Sequence, residues 1–232
     1  MDYTRKTVEQ IVKIRSLYQM PCVNWKGKTI KSETDEGGEY YTEVIAESVI
    51  KNEKLLGLPY RQVAVRDVFK FPGHDGKTKN ADSLRKEERF CLEKYNTRNE
   101  ILSPFGKIIN YQVNIFPGTK INVDLVAYDD KNDILWLIEV KGHNGKSDET
   151  LLRCVLEIET YYRCLCEKKH ALLTTLSSKD EVFHPTENTV IKKGIWVPKD
   201  SRPALEYLDL KNRPNVSKLI NDWEIRFETY QD

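Results

Sequence analysis

Three strand-like runs lie almost end to end in the middle of this chain: 107–116 (KIINYQVNIF), 120–128 (KINVDLVAY) and 134–141 (ILWLIEVK). The turns between them, Pro-Gly-Thr and Asp-Asp-Lys-Asn-Asp, are short enough to make hairpins. Helical patterns flank the trio. Before it, Asp82 or Ser83 can cap a helix running to about residue 97. After it, a helix over about 148–168 carries the apolar stripe Leu151, Val155, Ile158, Tyr162 and Leu165. The run HALLTTL (170–176) then reads as a further strand, which makes the order α-β-β-β-α-β and the fold class α/β.

The rest of the chain is less constrained. Residues 3–19 read as a helix, with Val8, Ile11, Val12, Ile14 and Leu17 near helical spacing. A second helical pattern covers 39–56, and RQVAVRDVFKF (61–71) alternates like a strand. The turn-rich segment around 72–82 is the best internal boundary, so the chain divides into an N-terminal, mostly helical extension (1–80) and a second unit (81–232). The role of the extension stays open between substrate recognition, a lid and dimerisation. The tail adds a strand over 189–197 and an amphipathic helix near 216–230.

Composition excludes several classes. No stretch approaches the roughly 18 apolar residues of a membrane span, so no membrane partner is expected. The N-terminus lacks an apolar signal region. Five cysteines without CxxC spacing read as reduced thiols of a cytoplasmic protein. There is no Gly-rich phosphate loop and no Gly-x-Ser-x-Gly. With 37 basic against 36 acidic residues the chain is not a basic nucleic-acid binder overall, although an enzyme needs only a local basic rim. The basic stretches Arg61–Lys79 and Lys192, Lys193, Lys199, Arg202 read as solvated surface.

An acidic residue, any residue, then lysine occurs five times in the chain, so the pattern alone carries nothing. Only Glu139 and Lys141 close a strongly apolar strand, where charged side chains are costly to hold without partners. Residues i and i+2 of a strand share a face about 6.6 Å apart, so the two point the same way. If 130–133 form a four-residue loop, Asp129 faces Ile134 and Asp124 faces Glu139, with Cβ atoms about 5 Å apart. Two facing carboxylates in an apolar hairpin repel each other unless one is protonated. A hard divalent cation, which takes carboxylate oxygens and water, removes that conflict.

The run NVDLVAYDDKNDILWLIEVKG resembles the core of the PD-(D/E)xK nuclease superfamily, with one acid on a strand and D/E-x-K at the end of the next. The element order over about 82–176 is similar too, although Val123 stands where the family's proline precedes the first acid. The resemblance implies a restriction-endonuclease-like fold with a mixed central sheet and a Mg²⁺- or Mn²⁺-dependent nuclease. Asp124, Glu139 and the carbonyl of Val140 would bind the metal, and Lys141 would serve the attacking water and the developing phosphate charge. Many members carry a further acid on the preceding helix. Glu88 falls within the apolar arc Leu84, Cys91, Leu92 and Tyr95, and Glu87 at its edge is the fallback.

Glu157 and Tyr161 resemble the Gln-xxx-Tyr motif of RecB-like members, with Glu for Gln, while an Arg153–Glu157 pair on a solvated face explains them equally well. Gln112 is a further supporting candidate. The implied partner is nucleic acid, DNA before RNA, and since many members dimerise, a homodimer is among the arrangements the resemblance implies. The competing reading is a catalytically silent nuclease fold that binds nucleic acid or protein.

Overall fold

The computed structural model describes residues 2–12, 17–31, 37–53, 69, 86–97, 100–117, 119, 121–142, 148–179 and 183–231. Apart from Phe69, the strand expected at 61–71 and the boundary at 72–82 lie outside these residues. Among the described residues there are seven α-helices: α1 Arg5–Ile11, α2 Tyr41–Lys51, α3 Lys86–Asn96, α4 Leu151–Cys166, α5 Lys169–Lys179, α6 Arg202–Leu208 and α7 Pro214–Asp222. The strands are β1 Ile101–Leu102, β2 Gly106–Asn114, β3 Asn122–Asp129, β4 Ile134–Val140, β5 Val190–Pro198 and β6 Ile225–Tyr230. They form one sheet in sequence order. The pairs from β1 to β4 are antiparallel, whereas β4–β5 and β5–β6 are parallel. The protein is therefore α/β with a mixed sheet.

The β3–β4 register follows the four-residue loop, pairing Asp129 with Ile134 and Leu125 with Ile138. Helix α4 and then α5 make the crossover that a parallel return to β5 requires. HALLTTL is therefore helix and not strand. Leu172, Leu173 and Leu176 are buried at helical spacing, and the Thr175 hydroxyl donates to the Ala171 carbonyl at 2.7 Å. This bond to residue i−4 reconciles a hydroxyl-rich run with a helix. The strand that completes the order after α4 is β5 instead.

Two other expectations are corrected. The N-terminal helix begins at its Thr4 cap and ends at Ile11, and short 3₁₀ turns follow at Leu17–Gln19 and Pro21–Asn24. The amphipathic pattern at 216–230 is split: α7 stops at Asp222, Glu224 adopts φ 51°, and Ile225–Tyr230 continues as an edge strand. Its inward Ile225 and Phe227 alternate with exposed Arg226, which is the period of a strand.

Apolar side chains cover both faces of the sheet. On one, α3 sets Phe90, Cys91, Leu92 and Tyr95 against Tyr111, Leu125, Trp136, Ile138, Val140 and Trp196. On the other, α4 packs with α1, α2, α7 and the short N-terminal turns in a larger cluster. Helix α4 is thus covered on nearly every side, and its Glu157 and Glu159 are buried with its apolar residues. No helix among the described residues is long and apolar enough to cross a membrane.

Candidate functional site

At the carboxyl end of β4 the two faces of the sheet contribute to one cluster. Asp124 comes from β3, Glu139 from β4 and Lys141 from just beyond it, where Gly142 at φ 79° turns the chain away. Helix α3 adds Glu87 from its first turn. Glu149, just before α4, and Glu157 on α4 complete the set. Lys141 Nζ lies 2.6 Å from Glu139 Oε1, 3.3 Å from Glu149 Oε2, 3.3 Å from Glu157 Oε2 and 3.7 Å from Glu87 Oε1. One oxygen from each of Glu87, Asp124 and Glu139 lies within 4.8 Å of the others. Asp124, Glu139 and Lys141 therefore converge, as the hairpin register requires.

The strand ladder changes its partners to make this possible. Val140 N–H donates to Asp124 Oδ2 at 2.9 Å, so the carboxylate takes a backbone donor just past the last paired residues. Gln112 Nε2 donates to Asp124 Oδ1 at 2.8 Å, and Asn122 Nδ2 donates to Gln112 Oε1 at 3.0 Å. Asn114 Nδ2 in turn donates to Asn122 Oδ1 at 3.0 Å. This chain of amides fixes the aspartate. Gln112 holds φ 48° inside a strand, a conformation costing about 1–3 kcal/mol outside glycine. Across it the alternation of faces reverses: Tyr111 belongs to the α3-side core and Val113 to the opposite one.

The acid contributed by α3 is Glu87 and not Glu88, which is absent from the carboxylate group. Helical phase puts Glu88 within the apolar arc and Glu87 at its edge, and packing reverses that order. Phe90 stacks on Tyr230 at 4.9 Å and meets Trp196 at 5.5 Å, and the Tyr230 hydroxyl donates to Gly142 O at 2.5 Å. The Phe90 flank therefore lies over the end of β4, and Glu87 sits one turn before Phe90 and Cys91 on that flank. Glu88 is one turn before Leu92, on the other.

Glu157 joins through both candidate readings at once. Tyr161 Oη donates to its Oε1 at 2.8 Å and Arg153 Nε to its Oε2 at 3.1 Å. The Arg153–Glu157 pair exists, yet on a buried part of the helix and not a solvated one, with side chains 18% and 10% exposed. The sequence places Glu149 only as part of the helix expected over 148–168, whereas it precedes the Thr150 cap of α4 and so turns to Lys141 from outside the helix.

Five carboxylates (Glu87, Asp124, Glu139, Glu149, Glu157) thus face two cations (Lys141, Arg153) among the described residues, a formal balance of −3. Among the described residues, Oε2 of Glu139 and Oε1 of Glu87 are shielded from solvent with no hydrogen-bond donor, although about a third of the Glu87 side chain is exposed (35%). Burial, offset only in part by Lys141, pushes the Glu87 carboxyl up to about 8. Burial pushes Asp124 up to about 6 against the pull of Lys141 and the Val140 N–H. Glu139 is held far above the carboxylate range by burial, Asp124 and Glu157. Burial alone would lower Lys141, but Glu139, Glu157, Glu87 and Glu149 raise it instead. Glu157 goes the other way. Burial opposes its ionisation, yet Lys141 and Arg153 bring it down to about 2.

Without further positive charge among the described residues, burial holds the carboxyls of Glu87, Asp124 and Glu139 above their ordinary range. Those three residues offer hard oxygen donors at a spacing one divalent cation could share. Comparison of the chain with protein-family models, with curated proteins and with solved structures found no match.

Proposed function

We propose that this chain is a divalent-metal-dependent nuclease with a restriction-endonuclease-like fold of the PD-(D/E)xK type. The observation that carries the reading is a single cluster. The Glu87, Asp124 and Glu139 oxygens lie within 4.8 Å of one another, Lys141 is 2.6 Å from Glu139, and a buried Glu139 oxygen has no donor. A buried carboxylate oxygen without a donor costs free energy, and a Mg²⁺ or Mn²⁺ ion fits as its partner. The antiparallel β2–β3–β4 set with a parallel β5 reached through α4 is what that fold requires.

Glu87, Asp124, Glu139 and the carbonyl of Val140 would hold the ion. When bound, it supplies a Lewis acid for a phosphoryl oxygen and lowers the pKa of a water ligand. Lys141 keeps its charge beside that position, where it offsets the negative charge that develops on phosphate during attack. Val140 N–H and Gln112 fix the orientation of the Asp124 carboxylate, one on each oxygen. DNA is the first substrate class to test and RNA the second.

The test is incubation with plasmid, linear and branched DNA, and with RNA, in Mn²⁺ or Mg²⁺. Cleavage is expected in the wild type and is expected to vanish with EDTA or in Asp124→Ala. If no substrate is cut, or if Asp124→Ala cuts as well as wild type, the enzyme reading is wrong. Metal-independent DNA retention without cleavage would mark the chain as a silent binding module.

A further inference from the structure

The cations and carboxylates on the α4 side of the cluster are braced by the N-terminal part of the chain. Arg153 bridges two partners at once. Its Nε reaches Glu157 Oε2 at 3.1 Å while its Nη1 donates to the backbone carbonyl of Tyr18, and its guanidinium lies 5.6 Å from the Tyr18 ring centre. The same Tyr18 ring meets Tyr161 edge-on at 6.2 Å, and Tyr161 donates to the other Glu157 oxygen. Both groups that orient Glu157 therefore rest on Tyr18.

A second strut lies five to eight residues further along the sequence, at Val23, Asn24 and Lys26. Thr150 Oγ1 donates to Val23 O at 2.5 Å, its N–H donates to Asn24 Oδ1 at 3.1 Å, and Lys26 pairs with Asp148. These contacts fix the residues on either side of Glu149. Glu149 and Glu157 are the two carboxylates that face Lys141 from the α4 side, each at 3.3 Å.

We infer that residues 17–26 form a brace for Lys141, with Arg153 as the positioning residue that connects them, so that the N-terminal part of the chain is built into the site. The inference rests on the nuclease reading for its effect on cleavage, but not for its effect on the lysine. Arginine is required because its planar fork donates in two directions from one rigid group, whereas a lysine at 153 would keep the charge and lose the bridge. Displacing Lys141 by as little as an ångström is enough to cost about 10²-fold in rate.

The test compares Arg153→Lys, Arg153→Gln and Asn24→Leu in the full chain, with Lys218→Ala on the exposed face of α7 as the control. The first readout is the ¹H–¹⁵N signal of the Lys141 ammonium in lysine-labelled protein, assigned by its loss in Lys141→Met. A protected signal is expected in wild type and control. In both Arg153 variants it should broaden beyond detection, and in Asn24→Leu it should shift. The second readout, for a cleaving wild type, is kcat, expected to drop about 10²-fold in Arg153→Lys as in Arg153→Gln, with Mn²⁺ affinity unchanged within about threefold. Thermal melts identify variants that stay folded, and only those are compared. If Arg153→Lys keeps the wild-type signal and rate, charge and not bridging matters, and the inference is overturned. It is equally overturned if wild-type Lys141 gives no protected signal, or if neither folded Arg153→Lys nor Asn24→Leu alters it. If the wild type cuts nothing, the nuclease reading fails while the ammonium signal still decides the brace.

Discussion

Helix α4 helps to bury two lysines, and they live in opposite circumstances. Lys193 on β5 points to the helix, where its Nζ meets Glu159 Oε2 at 2.5 Å and lies 4.1 Å from the Tyr162 ring centre. Arg163 takes the other Glu159 oxygen at 2.6 Å and reaches Glu53 at 2.5 Å. Two cations answer two carboxylates, and every oxygen of Glu159 has a donor. Among the described residues, Lys141 shares its surroundings with five carboxylates and one arginine, and oxygens of Glu87, Glu139 and Glu149 lack hydrogen-bond donors. The first group is closed. The second carries more carboxylates than cations among the described residues. Burying an ion pair is affordable only when its remaining lone pairs are satisfied, and among the described residues the Lys193 pair meets that condition while the Lys141 cluster does not.

Reciprocal substitutions should break the comparison most sharply. Lys141→Met is expected to lower cleavage by about 10²–10³-fold or more, the scale seen when a group stabilising transition-state charge is removed. Lys193→Met should leave the cleavage rate of the folded protein unchanged. It should instead cost about 3 kcal/mol in urea unfolding, the low end for breaking a buried pair, because Arg163 still serves Glu159. If Lys193→Met instead abolishes cleavage at full stability, the two regions are not separable.

Metal should act on one region only. Mn²⁺ at about 100 times its dissociation constant should stabilise the protein by about 2.7 kcal/mol, read as a rise in the unfolding midpoint, and Glu139→Gln should remove most of that rise. The affinity should also climb with pH. Asp124 and Glu87 hold protons up to about 6 and about 8, and a cation must displace them, so binding tightens as pH rises from 6 to 8. Calorimetry across that range should show protons released on binding. A flat profile would contradict the assignment of these two acids as ligands.

How far the sequence reaches differs between the same two regions. The Asp124–Glu139–Lys141 convergence was legible because it depends on local rules: a four-residue loop sets the hairpin register, and a strand period of two sets the faces. Gln112 was legible only as a candidate on the strand before Asp124, because its positive φ reverses the alternation of faces there and no strand period encodes that. The choice between Glu87 and Glu88 was not legible, since helical phase favours Glu88 and only Phe90 packing on Tyr230 and Trp196 reverses that order. Lys193 looks like part of a solvated basic segment, because nothing local announces Glu159 on a distant helix. The Tyr18–Arg153 contact spans 135 positions, and no period or spacing encodes such a contact. HALLTTL misleads because a short apolar run with threonines fits either a strand or a covered helix.

The smallest effect is the one that tests the comparison without any metal or substrate. Glu139 sits fully buried with a carboxyl pushed far above its ordinary 4.5, which means the folded protein binds that proton more tightly than the unfolded chain does. As pH rises above about 4.5 the unfolded chain loses the proton first, so the wild type loses stability progressively until the folded group also ionises. Glutamine is neutral at every pH and escapes this loss. Glu139→Gln should therefore be more stable than wild type in EDTA, by about 0.5–2 kcal/mol, the range for relieving a functional site of its strain. The advantage should be larger at pH 8 than at pH 5. Glu159→Gln should do the reverse, because it leaves Lys193 without its carboxylate in a buried position. Urea unfolding of both variants at the two pH values checks the signs. A destabilised Glu139→Gln would mean that the Lys141 cluster is as closed as its neighbour, and that its surplus of acid is a structural arrangement with no ion to receive.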